Sequence, residues 1–106
     1  MKRISEKSAN GNGYFYLEKI LTDELGDKCG LYARVTVPPG VSVGYHQHVG
    51  DNESYFFLSG EGVYDDNGVK RVVKAGDATW TPSGSSHGIE NTGTEDLVFM
   101  ALIINC

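Results

Sequence analysis

Apolar residues recur along the chain in short runs, and clusters of Gly, Pro, Asn and Asp interrupt them at close intervals. The runs are "YFYLEKIL", "LYARVTV", "VSVGYHQH", "ESYFFL", "GVKRVV", "DATWT", "HGIE" and "DLVFMALII". Between them stand "LGDKCG", "PPG", "VGDN", "SGEG", "DDNG", "KAGD", "PSGSS" and "NTGTE", whose residues supply the positive or fixed φ of tight turns. "DNG" at 66–68 predicts a hairpin, because Asn and Gly tolerate the left-handed region. No stretch keeps a 3.6-residue apolar period; "YFYLEKILTDEL" comes nearest, and its aromatic start favours a strand. Many short strands at regular spacing predict an all-β sandwich or small barrel.

In "LVFMALII", residues 97–104, both alternating faces are apolar. A sheet with one wet face would alternate polar and apolar positions, so both sides of this strand need a cover. A barrel interior covers one side. A second copy of the chain is the expected cover for the other, which predicts a homodimer, with a strand buried on both sides within one chain as the alternative.

Length and charge narrow the class. The chain has 106 residues, enough for one domain with its own core. Residues 1–12, rich in Ser, Asn and Gly, read as a flexible lead-in, and 13–106 as the folded domain. A net charge of -5, with no basic cluster beyond the first residues, argues against nucleic acid or an anionic membrane surface as partner. The basic start is not followed by an apolar signal segment, and no apolar run approaches a membrane span, so a cytoplasmic protein is expected. Cys29 and Cys106 are then expected as free thiols, with a disulfide staple as the minor alternative.

Three histidines occur in the whole chain, and His46 and His48 lie one residue apart. On a strand, i and i+2 share a face, which would group Ser42, Gly44, His46 and His48 opposite Val41, Val43 and Tyr45. The "VGDN" turn returns Glu53 close to His48, with Tyr55 and Phe57 on the same side. His87, after the turn in "TPSGSS", faces them if the strands close into a barrel. Three neutral imidazoles and one carboxylate suit a borderline divalent ion: Fe, Ni, Mn, Cu, Co or Zn.

Residues 40–60 fit G-x5-H-x-H-x4-E-x6-G at Gly40, His46, His48, Glu53 and Gly60. Residues 76–91 fit G-x5-P-x-G-x2-H-x3-N at Gly76, Pro82, Gly84, His87 and Asn91. In both patterns the chain resembles the cupin family. The resemblance implies a double-stranded β-helix, or jelly-roll barrel, in which His46, His48, Glu53 and His87 bind one divalent transition metal. The glycines and Pro82 are expected to shape turns, and Asn91 to tie one. Arg34 and Arg71 are expected at solvated strand positions.

A metal held by four protein groups in octahedral geometry keeps open positions, which marks a catalyst or a ligand-binding site. Cupins with this ligand set include dioxygenases, decarboxylases, lyases and isomerases. Oxidative cleavage of a small organic molecule by a dioxygenase is the first expectation, drawn from the open coordination positions and from Tyr55, Phe57 and Trp80 as cavity walls, for which core packing is an equal alternative, with Glu53 as the group that exchanges a proton. A metal-dependent binding or sensor module without catalysis is the alternative.

Overall fold

Each of the eight apolar runs contributes a strand in the computed structural model, which describes residues 2–8 and 11–106. In chain order the strands are β1 (Arg3–Lys7), β2 (Tyr14–Lys19), β3 (Cys29–Val37), β4 (Ser42–Gln47), β5 (Asp51–Ser59), β6 (Glu61–Asp66), β7 (Val69–Lys74), β8 (Ala78–Thr81), β9 (Ser86–Asn91) and β10 (Leu97–Asn105). A 3-10 turn, Asp23–Leu25, joins β2 to β3. Six strands form one sheet in the order β1-β2-β3-β10-β5-β8, and four form the other as β4-β9-β6-β7. The fold is the double-stranded β-helix. Among the described residues, no helix is long and apolar enough to cross a membrane.

The core lies between the sheets. Val35, Val37, Tyr55, Phe57, Tyr64, Ile89, Leu97 and Phe99 are each at most 3 % exposed. Alternation places them: on β5, Glu53, Tyr55 and Phe57 point inward while Phe56 is exposed. On β10 the inner face, from Leu97 to Ile103, packs in the barrel. The outer face, from Val98 to Ile104, is half-buried to exposed. The "DNG" hairpin forms as expected, with Asn67 at φ 50° and Gly68 at φ 96° joining β6 to β7. Gly60 combines a φ of 86° with a site where a Cβ would lie 2.6 Å from the Asp96 carbonyl oxygen. Asn91 ties its turn: its side-chain amide donates to the carbonyls of Val37 and Glu95, both at 2.8 Å, and its carbonyl accepts from Gly93 N at 2.9 Å.

Two sequence expectations need correction. Residues 3–7, placed in the lead-in, form β1, which pairs with β2 from Arg3–Glu18 to Lys7–Tyr14. All five residues are exposed, so no apolar period marked the strand. The face assignment on β4 also fails. A bulge between Val43 and His46 breaks the alternation, so Val43 packs against the core and His46 still faces inward. The extra residue shifts the side-chain phase by one.

Candidate metal centre

His46 and His48 come from β4 and the residue after it, Glu53 from β5, and His87 from β9. β4 and β9 pair with His46 opposite His87, which brings two imidazoles together by register. Glu53 starts the inward row of β5 and enters from the other sheet. One donor atom from each of the four side chains lies within 4.8 Å of every other. His48, Glu53 and His87 are buried, and His46 is partly so.

The far side of each ring decides what the near side presents. His46 Nδ1 is 2.6 Å from the Gly44 carbonyl oxygen. A carbonyl only accepts, so Nδ1 carries the hydrogen and Nε2 a bare lone pair. His48 Nδ1 donates in the same way to the Asp51 carboxylate at 2.8 Å. His87 Nδ1 sits 2.8 Å from the Tyr64 hydroxyl and 2.9 Å from Thr81 Oγ1, either of which can accept its hydrogen. All three Nε2 atoms turn inward. His87 Nε2 lies 3.0 Å from His48 Nε2, 3.1 Å from His46 Nε2 and 3.0 Å from a Glu53 oxygen. The same oxygen is 3.0 Å from His48 Nε2.

Lone pairs aimed at one another at this range repel unless a cation lies between them. The buried donor set therefore fits one metal ion. Its spacing also fits a coordination geometry: donors about 2.1 Å from a common centre are about 3.0 Å apart at right angles and about 3.4 Å apart in a tetrahedron. The four separations of 3.0–3.1 Å at His87, His48 and Glu53 are close to the right-angled value, so these side chains could hold one ion.

Burial lowers the pKa of His87 below its ordinary 6.5, a shift only partly opposed by the hydrogen bond and charge of Glu53. The ring is thus kept neutral and able to bind a metal. Burial, and then the negative charge of Glu53, raises Tyr55 well above 10, so its phenol stays protonated. Its ring stacks on His87 at 4.9 Å.

His46, His48 and Glu53 form part of the wall of a cavity of about 320 Å³. Tyr55 also lines it, but two other expected wall residues do not. Phe57 is fully buried in the core, and Trp80 is 50 % exposed on the outer face of the six-stranded sheet. Alternation explains the latter, because Thr79 and Thr81 take the inward positions of β8. Arg34 pairs with Glu18 through two hydrogen bonds of 2.9 and 3.1 Å, and Arg71 with Asp66 at 2.7 Å, so both lie at strand-surface ion pairs. Asp51, Tyr64, Thr81 and Ser8, whose hydroxyl supports the Gly44 peptide, were not identified from sequence. Inward hydroxyls alternating along "DATWT" were the signal for Thr81.

Comparison with known proteins agrees with this architecture. The cupin-domain family profile matches residues 33–103. An oxalate-binding protein of Thermotoga maritima is 50 % identical over 104 residues, which span 97 % of this chain and 85 % of that protein. A crystal structure described as a predicted oxalate decarboxylase from Thermotoga maritima superposes with a TM-score of 0.91 at 47 % identity, covering 99 % of this chain and 91 % of that one. The oxalate decarboxylase OxdC of Bacillus subtilis is 35 % identical over 75 residues, 66 % of this chain but 20 % of that longer enzyme. The profile match and the near full-length relative place the chain in the cupin family.

Proposed function

We propose that His46, His48, Glu53 and His87 hold one divalent transition metal and that this centre takes up a small chelating oxyacid. The observation that carries the reading is the convergence of three imidazole lone pairs and one carboxylate beside an open cavity. Three neutral rings and one carboxylate around a divalent ion leave a net charge of +1, which suits a carboxylate ligand. The relatives named for oxalate favour an acid of this kind. The bound ion supplies Lewis acidity toward the ligand's oxygens.

The protein's own groups do the rest. The Nδ1 hydrogen bonds to Gly44, Asp51 and the hydroxyls of Tyr64 and Thr81 fix the three rings in the tautomer that presents Nε2. Glu53 sets the charge and is the group that exchanges a proton with the ligand. Oxidative cleavage loses its main support with Phe57 and Trp80 outside the cavity. Decarboxylation is the second reading, favoured by the relative named for that reaction, and in it Glu53 would return the proton needed when carbon dioxide leaves.

Elemental analysis of untagged protein, followed by calorimetric titration of oxalate into loaded and stripped samples, tests the proposal. One equivalent of Fe, Ni, Mn, Cu, Co or Zn per chain, absent from a His46→Ala/His87→Ala double mutant, together with metal-dependent oxalate binding, is expected. Formate released from oxalate would establish decarboxylation over simple binding. Stoichiometric metal in the double mutant would remove the ligand assignment.

A further inference from the structure

We infer that the ligand of this centre is a monocarboxylic 2-oxo or 2-hydroxy acid with an apolar side chain, and that oxalate fills only the inner end of its site. The inference rests on the chelating-oxyacid reading and adds the shape and polarity of the rest of the ligand. A cavity of about 320 Å³ extends from His46, His48 and Glu53. That is within the range of roughly 300–1,000 Å³ typical of pockets for molecules much larger than oxalate.

Its walls are apolar. Phe15 and Leu17 come from β2, Leu31 and Val35 from β3, and Phe99 and Ile103 from β10. They share the inner face by register: Leu17 stands opposite Val35, Val35 opposite Phe99, and Leu31 opposite Ile103. Two oxygens of an α-oxo carboxylate suffice to chelate a metal, so the remainder of the molecule meets these side chains. A second carboxylate there would have poor partners. Among the described residues lining the cavity, Lys7 is the one Lys or Arg, and it stands on exposed β1 next to Glu6. Arg34 and Arg71 are committed to Glu18 and Asp66. Placing an unpaired carboxylate against an apolar wall is costly, whereas a hydrocarbon chain gains there.

The test is a chain-length series on the metal-loaded wild-type protein. Pyruvate, 2-oxobutanoate, 2-oxopentanoate, 4-methyl-2-oxopentanoate and phenylpyruvate are titrated calorimetrically, with oxalate as reference. Affinity is expected to rise by about fourfold for each added methylene until the cavity is full. Narrowing the cavity at half-buried Leu31, by Leu31→Trp, is expected to abolish that gain in protein that still binds metal, and a variant that keeps the wild-type gain overturns the inference. Affinity that is flat or falls with chain length, while oxalate still binds, overturns the inference and leaves the chelating-oxyacid reading intact. Failure of every acid, oxalate included, to bind the metal-loaded protein overturns that reading and the inference with it.

Discussion

Ser8 Oγ accepts the amide hydrogen of Gly44 at 3.0 Å, while the Gly44 carbonyl holds the Nδ1 hydrogen of His46 at 2.6 Å. One residue therefore links the N-terminal hairpin to a ring of the metal centre. The link is reinforced nearby. Asn12 N donates to Ser42 Oγ at 2.8 Å, its side-chain amide to the Gly40 carbonyl at 2.9 Å, and Ser42 N to the Asn12 carbonyl at 3.0 Å. The end of β1 is thus fastened to the bulged strand that carries His46.

Removing the Ser8 hydroxyl leaves the buried Gly44 amide without this acceptor and loosens the backbone at Gly44, so the next peptide, whose carbonyl holds the His46 ring, would be less firmly placed. Ser8→Ala is expected to weaken metal affinity about tenfold, within the range for groups that orient a ligand, and Ser8→Thr to restore it. Competition with a chelator measures the affinity, and the visible spectrum of cobalt-loaded protein reports the geometry. Unchanged affinity and spectrum in Ser8→Ala would show that Gly44 holds His46 without help.

Asp51 acts on His48 in a different way, through charge. Its carboxylate at 2.8 Å fixes the Nδ1 hydrogen and makes the opposite nitrogen a better donor to metal. Asp51→Asn keeps an acceptor oxygen and loses the charge, so about a tenfold fall in affinity is expected. Asp51→Ala loses both, and the fall should approach about 100-fold. Equal affinities for the two variants would mean that charge, and not orientation, is what Asp51 supplies.

The sequence held most of this site and less of its setting. His46, His48, Glu53 and His87 were legible because a two-residue period, a short turn and a fixed spacing determine where strands send their side chains. Gly60 and Asn91 were legible as turn residues for the same local reasons. The bulge at Gly44 was hidden, since its insertion of one residue depends on the partner strand β9 and not on composition. β1 was hidden because both its faces are wet. Trp80 was misplaced by treating it as an aromatic wall when Thr79 and Thr81 on its own strand were the inward pair. Tyr64 reaches His87 from β6, a contact across the sheet that no local pattern encodes.

Acid should act on His87 directly. Burial holds its pKa below 6.5, so between that value and its folded pKa the unfolded chain binds a proton that the folded metal-free protein does not. The stability linked to this ring is therefore complete above about pH 6.5 and lost as pH falls toward the folded pKa. Melting temperatures of metal-stripped protein are expected to level off above that point and to decline below it. His87→Gln should show a shallower decline over the same interval. Metal should also leave in acid, because protons compete for Nε2. An identical pH profile in wild type and His87→Gln would exclude this ring as the source.

The outer face of the six-stranded sheet offers a final test, of assembly. Phe56 is 47 % exposed, Leu58 43 % and Trp80 50 %, and the half-buried Met100 lies directly opposite Phe56. An apolar group of this size on a sheet face matches the two-sided apolar pattern of β10, from which a second copy was expected. A symmetric pairing would bury the same patch on both chains. Sedimentation velocity on wild-type protein is expected to give a dimer, and Phe56→Lys/Trp80→Lys a monomer. Both side chains point away from the metal centre, so the monomer should keep its metal. In Phe56→Lys alone, which keeps Trp80, the indole fluorescence should move to longer wavelength as loss of the partner copy exposes it to water. A wild-type protein that sediments as a monomer at micromolar concentration would show that this face is covered by something other than a second copy, or stays in contact with solvent.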